Sequence, residues 1–193
     1  MALVLVTGPA SEPVSKEEAK AHLRVDGTDD DSYITALITT ARRHVEAILR
    51  RALMPQTWKL VLDSWPTDIV KFAKPPLTSV SSVTYLDENG DSQTFASTNY
   101  VVDTAGEPGR LTLAKDASWP TDELYTLGAV QIQFVAGYAD VDAVPQEYKQ
   151  AILLLVGHFY ENREAVVAAQ GANIQELPMA VMALLMPTRV LTF

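Results

Sequence analysis

Apolar positions in the first quarter of the chain recur at three and four residues. Ile34, Leu37, Ile38, Ala41, Val45, Ile48, Leu49 and Ala52 make one stripe, the mark of a helix with a single buried face. A shorter helix precedes it at "SKEEAKAHL". Ser15 stands as its cap, Glu18 follows three residues on as the other half of a capping box, and Val14 is placed as a staple. Asp26-Gly27 is turn chemistry, so this helix ends near Arg24. Arg42, Arg43, Arg50 and Arg51 crowd the second half of the longer helix, where cations complement the helix dipole, and Pro55 stops it.

From Gln56 to Tyr138 the period changes to two. "TWKLVLD" alternates, with Trp58, Leu60 and Leu62 on one side. "SVSSVTYL" and "SQTF" flank "DENGD", a hairpin signal with Asn89-Gly90 at its tip. "NYVVD", "GRLTLA" and "AVQIQFVAG" add further strands. The pattern predicts about six short strands in a small antiparallel sheet or open barrel.

Helical spacing returns at "VPQEYKQAILLLVGHFYENREAVV", where Pro145 suits the first turn and Tyr148, Ile152, Leu155 and Phe159 form the stripe. A short helix, "PMAVMALLM", lies between Pro178 and Pro187. Helices from both ends must pack together to bury their stripes, which makes the sheet an insertion. The expected fold class is therefore α+β, a small helical bundle carrying an inserted antiparallel β-sheet domain. Residues 14–54 form an N-terminal helical hairpin, 56–140 the inserted β-rich region, 144–187 the helices that complete the bundle, and 188–193 an extended tail. Leu37, Val45, Ile48, Ile152, Leu155 and Phe159 are the expected core between the two ends of the chain. Thr188, Arg189, Val190, Leu191, Thr192 and Phe193 have no further helix to join, and they suit an extended tail that docks on a neighbour, with Arg189 seeking a carboxylate there.

Composition narrows the functional classes. Of 193 residues 48% are apolar, which a folded core requires. No cysteine is present, so disulfides, thiolate metal sites and cysteine nucleophiles are out, and the balance leans towards a reducing compartment. The formal charge of −9 makes the chain as a whole repel nucleic acid and anionic membranes. The start "MALVLVTGPASEP" lacks the basic region and the length of a signal peptide, and reads as an extended segment that pairs with something. "AILLLVG" falls far short of the roughly 20 apolar residues of a membrane span.

Candidate chemistry is sparse. Asp26, Asp29, Asp30 and Asp31 lie within six residues beside Gly27 and invite comparison with a calcium loop. Counting from Asp26, however, the sixth position is Asp31 instead of glycine and the twelfth is Leu37 instead of glutamate. The simpler reading is that Asp30 or Asp31 caps the second helix, with the acidic cluster at its positive end. Of the three histidines, His158 stands three residues before Glu161 and five before Arg163, which suits a local polar network. There is no phosphate loop, nucleophile elbow or dinucleotide fingerprint. Trp58, Trp65 and Trp119 read as sheet aromatics, since a nucleic-acid stacking platform needs interleaved cations. No catalytic, cofactor or metal residue is expected.

Taken in order, "VSKEEAKAHLRVDGTDDDSYITALITTARRHVEAILRRAL" with "QTW", "PPLTSVSSVTYLDENG", "WP", "VQIQFVAGYADVDAVPQEYKQAILLLVGHFYENRE" and "LPMAVMALLMPTRV" resemble the head-tail connector (adaptor) family of tailed bacteriophages and gene transfer particles. The resemblance covers nearly the whole chain and rests on joint order, because each piece alone is ordinary secondary-structure chemistry. It implies a non-enzymatic subunit of a ring, usually of twelve copies, at the head-tail interface of the virion. The ring docks under the portal protein, meets a tail-side stopper or connector, and lets DNA pass through its lumen without specific binding. Assembly takes place in the host cytoplasm, with no membrane partner. The competing readings are a monomeric ligand- or peptide-binding module whose sheet takes a peptide or sugar, and a hydrolase using Asp, Glu and His158.

If "VDGTDDD" is a helix corner, a chelator leaves the melting temperature unchanged. A calorimetric scan with calcium, magnesium or EDTA checks this, and a rise specific to calcium would contradict it.

Overall fold

The computed structural model describes residues 1–162 and 179–190, and these group into two compact units. One holds Met1–Ala10 and Met54–Ala139. The other holds Ser11–Leu53 and the described residues from Asp140 onward.

The second unit is helical. Helix α1 (Lys16–Leu23) opens on the full capping box: Ser15 Oγ accepts the Glu18 N–H at 3.1 Å, and the Glu18 carboxylate accepts the Ser15 N–H at 2.7 Å. Arg24 closes it in the left-handed region, at φ 58°. Helix α2 (Asp31–Leu49) begins after Asp30, but neither aspartate caps it in the expected way. Asp30 occupies the cap position, and its carboxylate takes the Tyr160 hydroxyl instead of a backbone N–H. Asp31 accepts Lys16 Nζ at 2.6 Å and Lys20 Nζ at 2.7 Å, which staples α1 to the start of α2. The helix ends before Pro55 is reached, because Arg50 turns left-handed at φ 58°.

Helix α2 packs on α3 (Gln146–Glu161), and α3 packs on α4 (Met179–Leu185). Ile34, Leu37, Ile38, Ala41, Val45 and Leu49 are buried from α2, Tyr148, Ala151, Ile152, Leu155 and Val156 from α3, and Val181 and Leu185 from α4. Two members of the expected core differ: Ile48 and Phe159 are only half-buried. Both lie at the margin of their stripe, one near each helix's C-terminal end. Arg42 departs from its expected role as well. It is 4% exposed, so it is a buried cation instead of a surface complement to the helix dipole. Its Nε meets Glu12 at 2.6 Å and an Nη meets Glu46 at 2.7 Å.

Among its described residues the first unit holds eight strands in two antiparallel sheets, where about six strands in one sheet or barrel were expected. The larger sheet runs β1 (Ala2–Thr7), β2 (Gln56–Leu62), β8 (Val130–Ala136), β4 (Leu77–Leu86), β5 (Ser92–Phe95). The smaller runs β3 (Val70–Lys71), β7 (Arg110–Leu113), β6 (Tyr100–Asp103). Strand β8 alternates strictly, burying Val130, Ile132, Phe134 and Ala136. The Asn89-Gly90 turn joins β4 to β5, with Gly90 at φ 85° and the Asp87 carboxylate accepting the N–H groups of Asn89 and Asp91, each at 3.0 Å. Past β8, Gly137 stands at φ 122°, and a Cβ there would lie 2.2 Å from the Met54 carbonyl oxygen, so only glycine fits. Trp65 stacks on Trp119 at 4.7 Å between centroids and meets Tyr85 and Phe95 at 5.3 and 5.5 Å, an aromatic cluster at one end of the larger sheet.

Two stability measurements follow. Leu155→Ala, at a fully buried site, costs about 2–5 kcal/mol in denaturant unfolding, whereas Ile48→Ala falls below that range. The second concerns acid. Lys16 first and Lys20 next hold the Asp31 carboxyl below the ordinary carboxylate range. A depressed folded-state value stabilises above the unfolded value, near pH 4, and the effect is lost as pH falls through the folded one. Asp31→Asn therefore flattens the acid limb of a melting-temperature profile below about pH 4. An unaltered limb would show that the two lysines do not act through Asp31.

Candidate assembly site

The features that stand out are an exposed edge strand, the C-terminal segment and an acidic hollow. Strand β1 is at one edge of the larger sheet, pairing with β2 from Ala2↔Val61 to Thr7↔Thr57 and bulging between Leu5 and Thr7. The apolar N-terminal segment thus finds a partner within its own chain. Its side chains stay largely in solvent: Val4, Leu5 and Val6 are each nearly half exposed.

The expected tail begins differently from a free extended strand. Thr188 closes a 3-10 turn, Met186–Thr188, that continues α4. Its carbonyl accepts Arg51 Nε at 3.2 Å, and the Val190 N–H donates to the Leu49 carbonyl at 3.1 Å. Leu49 is the last residue of α2, whose final carbonyls lack helical partners, and Arg51 lies just past the helix end. Thr188 and Val190 are therefore tied to the helical unit. Arg189 is extended between them, and its Nε is buried without a hydrogen bond among the described residues. Leu191, Thr192 and Phe193 lie outside the described residues, as does Arg163 of the expected polar network. Of that network His158 keeps a ring contact with Phe159 and its carbonyl accepts from Asn162. Met179 and Met186 are exposed near the same end of the chain.

An acidic hollow of about 520 Å³ lies beside the hairpin, lined by Tyr85, Asp87, Glu88, Asn89, Gln93, Asp122 and Glu123. The Tyr85 hydroxyl donates to Asp122 at 2.7 Å, and that carboxylate raises the phenol above its ordinary value. Asp87 is held down by the Gln93 amide and by backbone N–H groups of the turn. Tyr85 pairs with Asp122 and Gln93 with Asp87, and the lining presents no nucleophile poised beside a base. Among the described residues no cluster of His, Asp and Glu is disposed to hold a metal ion, and no helix is long and apolar enough to cross a membrane.

What local spacing could not disclose is Glu12. It accepts the Thr39 hydroxyl at 2.9 Å as well as Arg42, and so binds the segment after β1 to α2. The only hint was a buried-stripe position, Arg42, occupied by a cation.

Comparison with known proteins gives these surfaces a setting. No curated protein sequence matches the chain. Among solved structures it is similar to a chain in the neck of an empty gene transfer agent particle computed with C6 symmetry. The TM-score is 0.79 at 26% identity, over 100% of this chain and 97% of the other. It is similar to a chain of the virion of a native gene transfer agent particle, with a TM-score of 0.78 at 26% identity and the same coverage. A third match, at 0.73 with that identity and coverage, comes from the neck of a native particle computed with C12 symmetry. The head completion protein family model matches residues 13–192, which is nearly the full length and includes both units. The chain belongs to the head completion protein family, structural head-tail connectors of the virion.

Proposed function

We propose that the protein is a subunit of a ring, of twelve copies, that docks under the portal protein and joins the capsid to the tail-side stopper around the DNA channel. The observation that carries this reading is the end-to-end match to chains from particle necks computed with six- and twelve-fold symmetry, in which neither protein has a large unmatched part. Subunits are made in the host cytoplasm and assemble there at the capsid vertex. DNA crosses the lumen without being gripped. A charge of −9 per subunit, multiplied around a ring, favours a neutral or acidic wall that holds the phosphates off.

The portal-binding element in this reading is the C-terminal segment. Thr188 and Val190 are its anchor on α2, Arg189 supplies a guanidinium for a carboxylate on the portal or on an adjacent subunit, and Leu191, Thr192 and Phe193 follow the anchor in sequence. Because a cut at Thr188 would also strip contacts from α2, the informative truncation removes Leu191–Phe193 alone. The truncated protein is expected to keep its helical signal and melting temperature but to fail to attach to portal-bearing capsids in a sedimentation assay. Normal attachment would exclude these three residues as the anchor. Absence of even the intact protein from particle necks would exclude the ring itself.

A further inference from the structure

Both outer edges of the larger sheet lack the charged residues and prolines that keep edge strands apart, although β1 carries a bulge and β5 is short. Such strands ordinarily carry lysine, proline or an inward charge that prevents a further strand from adding. Strand β1 has none: residues 2–11 carry no charged side chain, and proline comes only at Pro9, after the strand. Its apolar residues are exposed on both faces, with Val4 at 48%, Leu5 at 45% and Val6 at 47%. At the opposite edge, β5 begins another uncharged stretch, residues 92–102, and Ser92, Gln93 and Thr94 are exposed. Among the described residues no strand pairs with the outer side of either.

We propose that β1 of one copy adds in parallel to β5 of the next, so that the larger sheets run from subunit to subunit around the ring. The inference rests on the ring reading above. Three observations choose a second copy as the occupant. First, two copies that each carry −9 repel one another overall, and neither edge strand brings a charged side chain to the contact. Second, the edges are different surfaces, so their pairing is head-to-tail and can close into a ring, whereas β1 on β1 would stop at a two-fold dimer.

The third is direction. All neighbouring pairs in the order β1-β2-β8-β4-β5 are antiparallel, so β1 and β5 point the same way. Twelve-fold symmetry, as in the matched neck, rotates each copy by one-twelfth of a turn. That small rotation keeps strand directions and makes the new pair parallel. Main-chain hydrogen bonds would supply the contact, with the exposed Val4, Leu5 and Val6 covered by the neighbour.

The absence of native cysteine makes the test clean. Particles are assembled with Val4→Cys, with Thr94→Cys, or with both, and treated with a short bis-maleimide. The double variant is expected to give a ladder of cross-linked multimers, and each single variant monomers. Dimers from Val4→Cys alone would overturn head-to-tail pairing in favour of β1 on β1. A double variant that occupies the neck but does not cross-link would overturn the strand pairing and leave the ring standing. A protein missing from the neck even when unmutated would remove the ring itself. In a second arm, Leu5→Lys places a charge on the edge. Loss of the subunit from necks at an unchanged melting temperature supports the inference, and full occupancy overturns it.

Discussion

The buried guanidinium of Arg42 is the constraint on which the helical unit depends. It lies 4% exposed on α2 and is held by two carboxylates, one from its own helix and one from Glu12. Each carboxylate has a second duty: Glu12 accepts the Thr39 hydroxyl, and Glu46 accepts the Leu53 N–H at 2.9 Å. One cation therefore secures both the segment by which the chain enters this unit, just after residue 10, and the segment by which it leaves, at Leu53. Removing the guanidinium would leave the buried Glu46 carboxylate without its cation, a loss of about 3–5 kcal/mol in comparable buried pairs. An apolar replacement of the whole cluster could be as stable. What it would lack is direction, because only the fork of donors fixes where two loops meet a helix.

That anchoring has a consequence for the strands. The chain reaches Glu12 from β1 and departs from Leu53 towards β2, and β1 and β2 are paired from Ala2↔Val61 to Thr7↔Thr57. Two strands separated by the whole of α1 and α2 must find each other across a long loop closure. Holding the two crossing points on one helix reduces the search that this pairing would otherwise require. Within the β unit, β8 then serves as the centre, buried on alternate residues and flanked by β2 and β4.

Features set by local chemistry could be read before any coordinates. The Ser15–Glu18 box, the α2 stripe, the Asn89-Gly90 hairpin and the alternation of β8 each need only residues within one or two turns. Features set by distant partners could not. Asp30 looked like a cap because nothing nearby competes for its carboxylate; its actual donor, Tyr160, is 130 residues away. Strand β3 is two residues long, too short to show a period, and exists because Val70 and Lys71 pair with Leu111 and Arg110. Ile48 and Phe159 sit on the right stripes, but a stripe marks a face without marking where the packed neighbour ends. At the C-terminus, composition suited an extended strand. The unfilled carbonyl of Leu49 and the Arg51 side chain nevertheless capture Val190 and Thr188, since a helix end left with free acceptors takes whatever donor the chain brings back to it.

The distribution of charge separates folding from assembly. The carboxylates with depressed values, Glu18, Asp31, Asp87 and Asp103, are each engaged within their own unit, on Ser15, on two lysines, on a turn and on Arg110. They organise local structure, while the net charge of −9 of the whole chain opposes close approach of free subunits in dilute solution. A subunit of the proposed ring must stay dispersed until its neighbours are in place, then associate closely. Repulsion spread over the surface is long-ranged at low salt and screened within about 8–10 Å at physiological ionic strength. Backbone pairing at an uncharged edge acts only at contact. In the proposed ring the two effects would therefore work at different distances: charge would discourage encounter between loose copies, and the edges would hold once copies are already aligned.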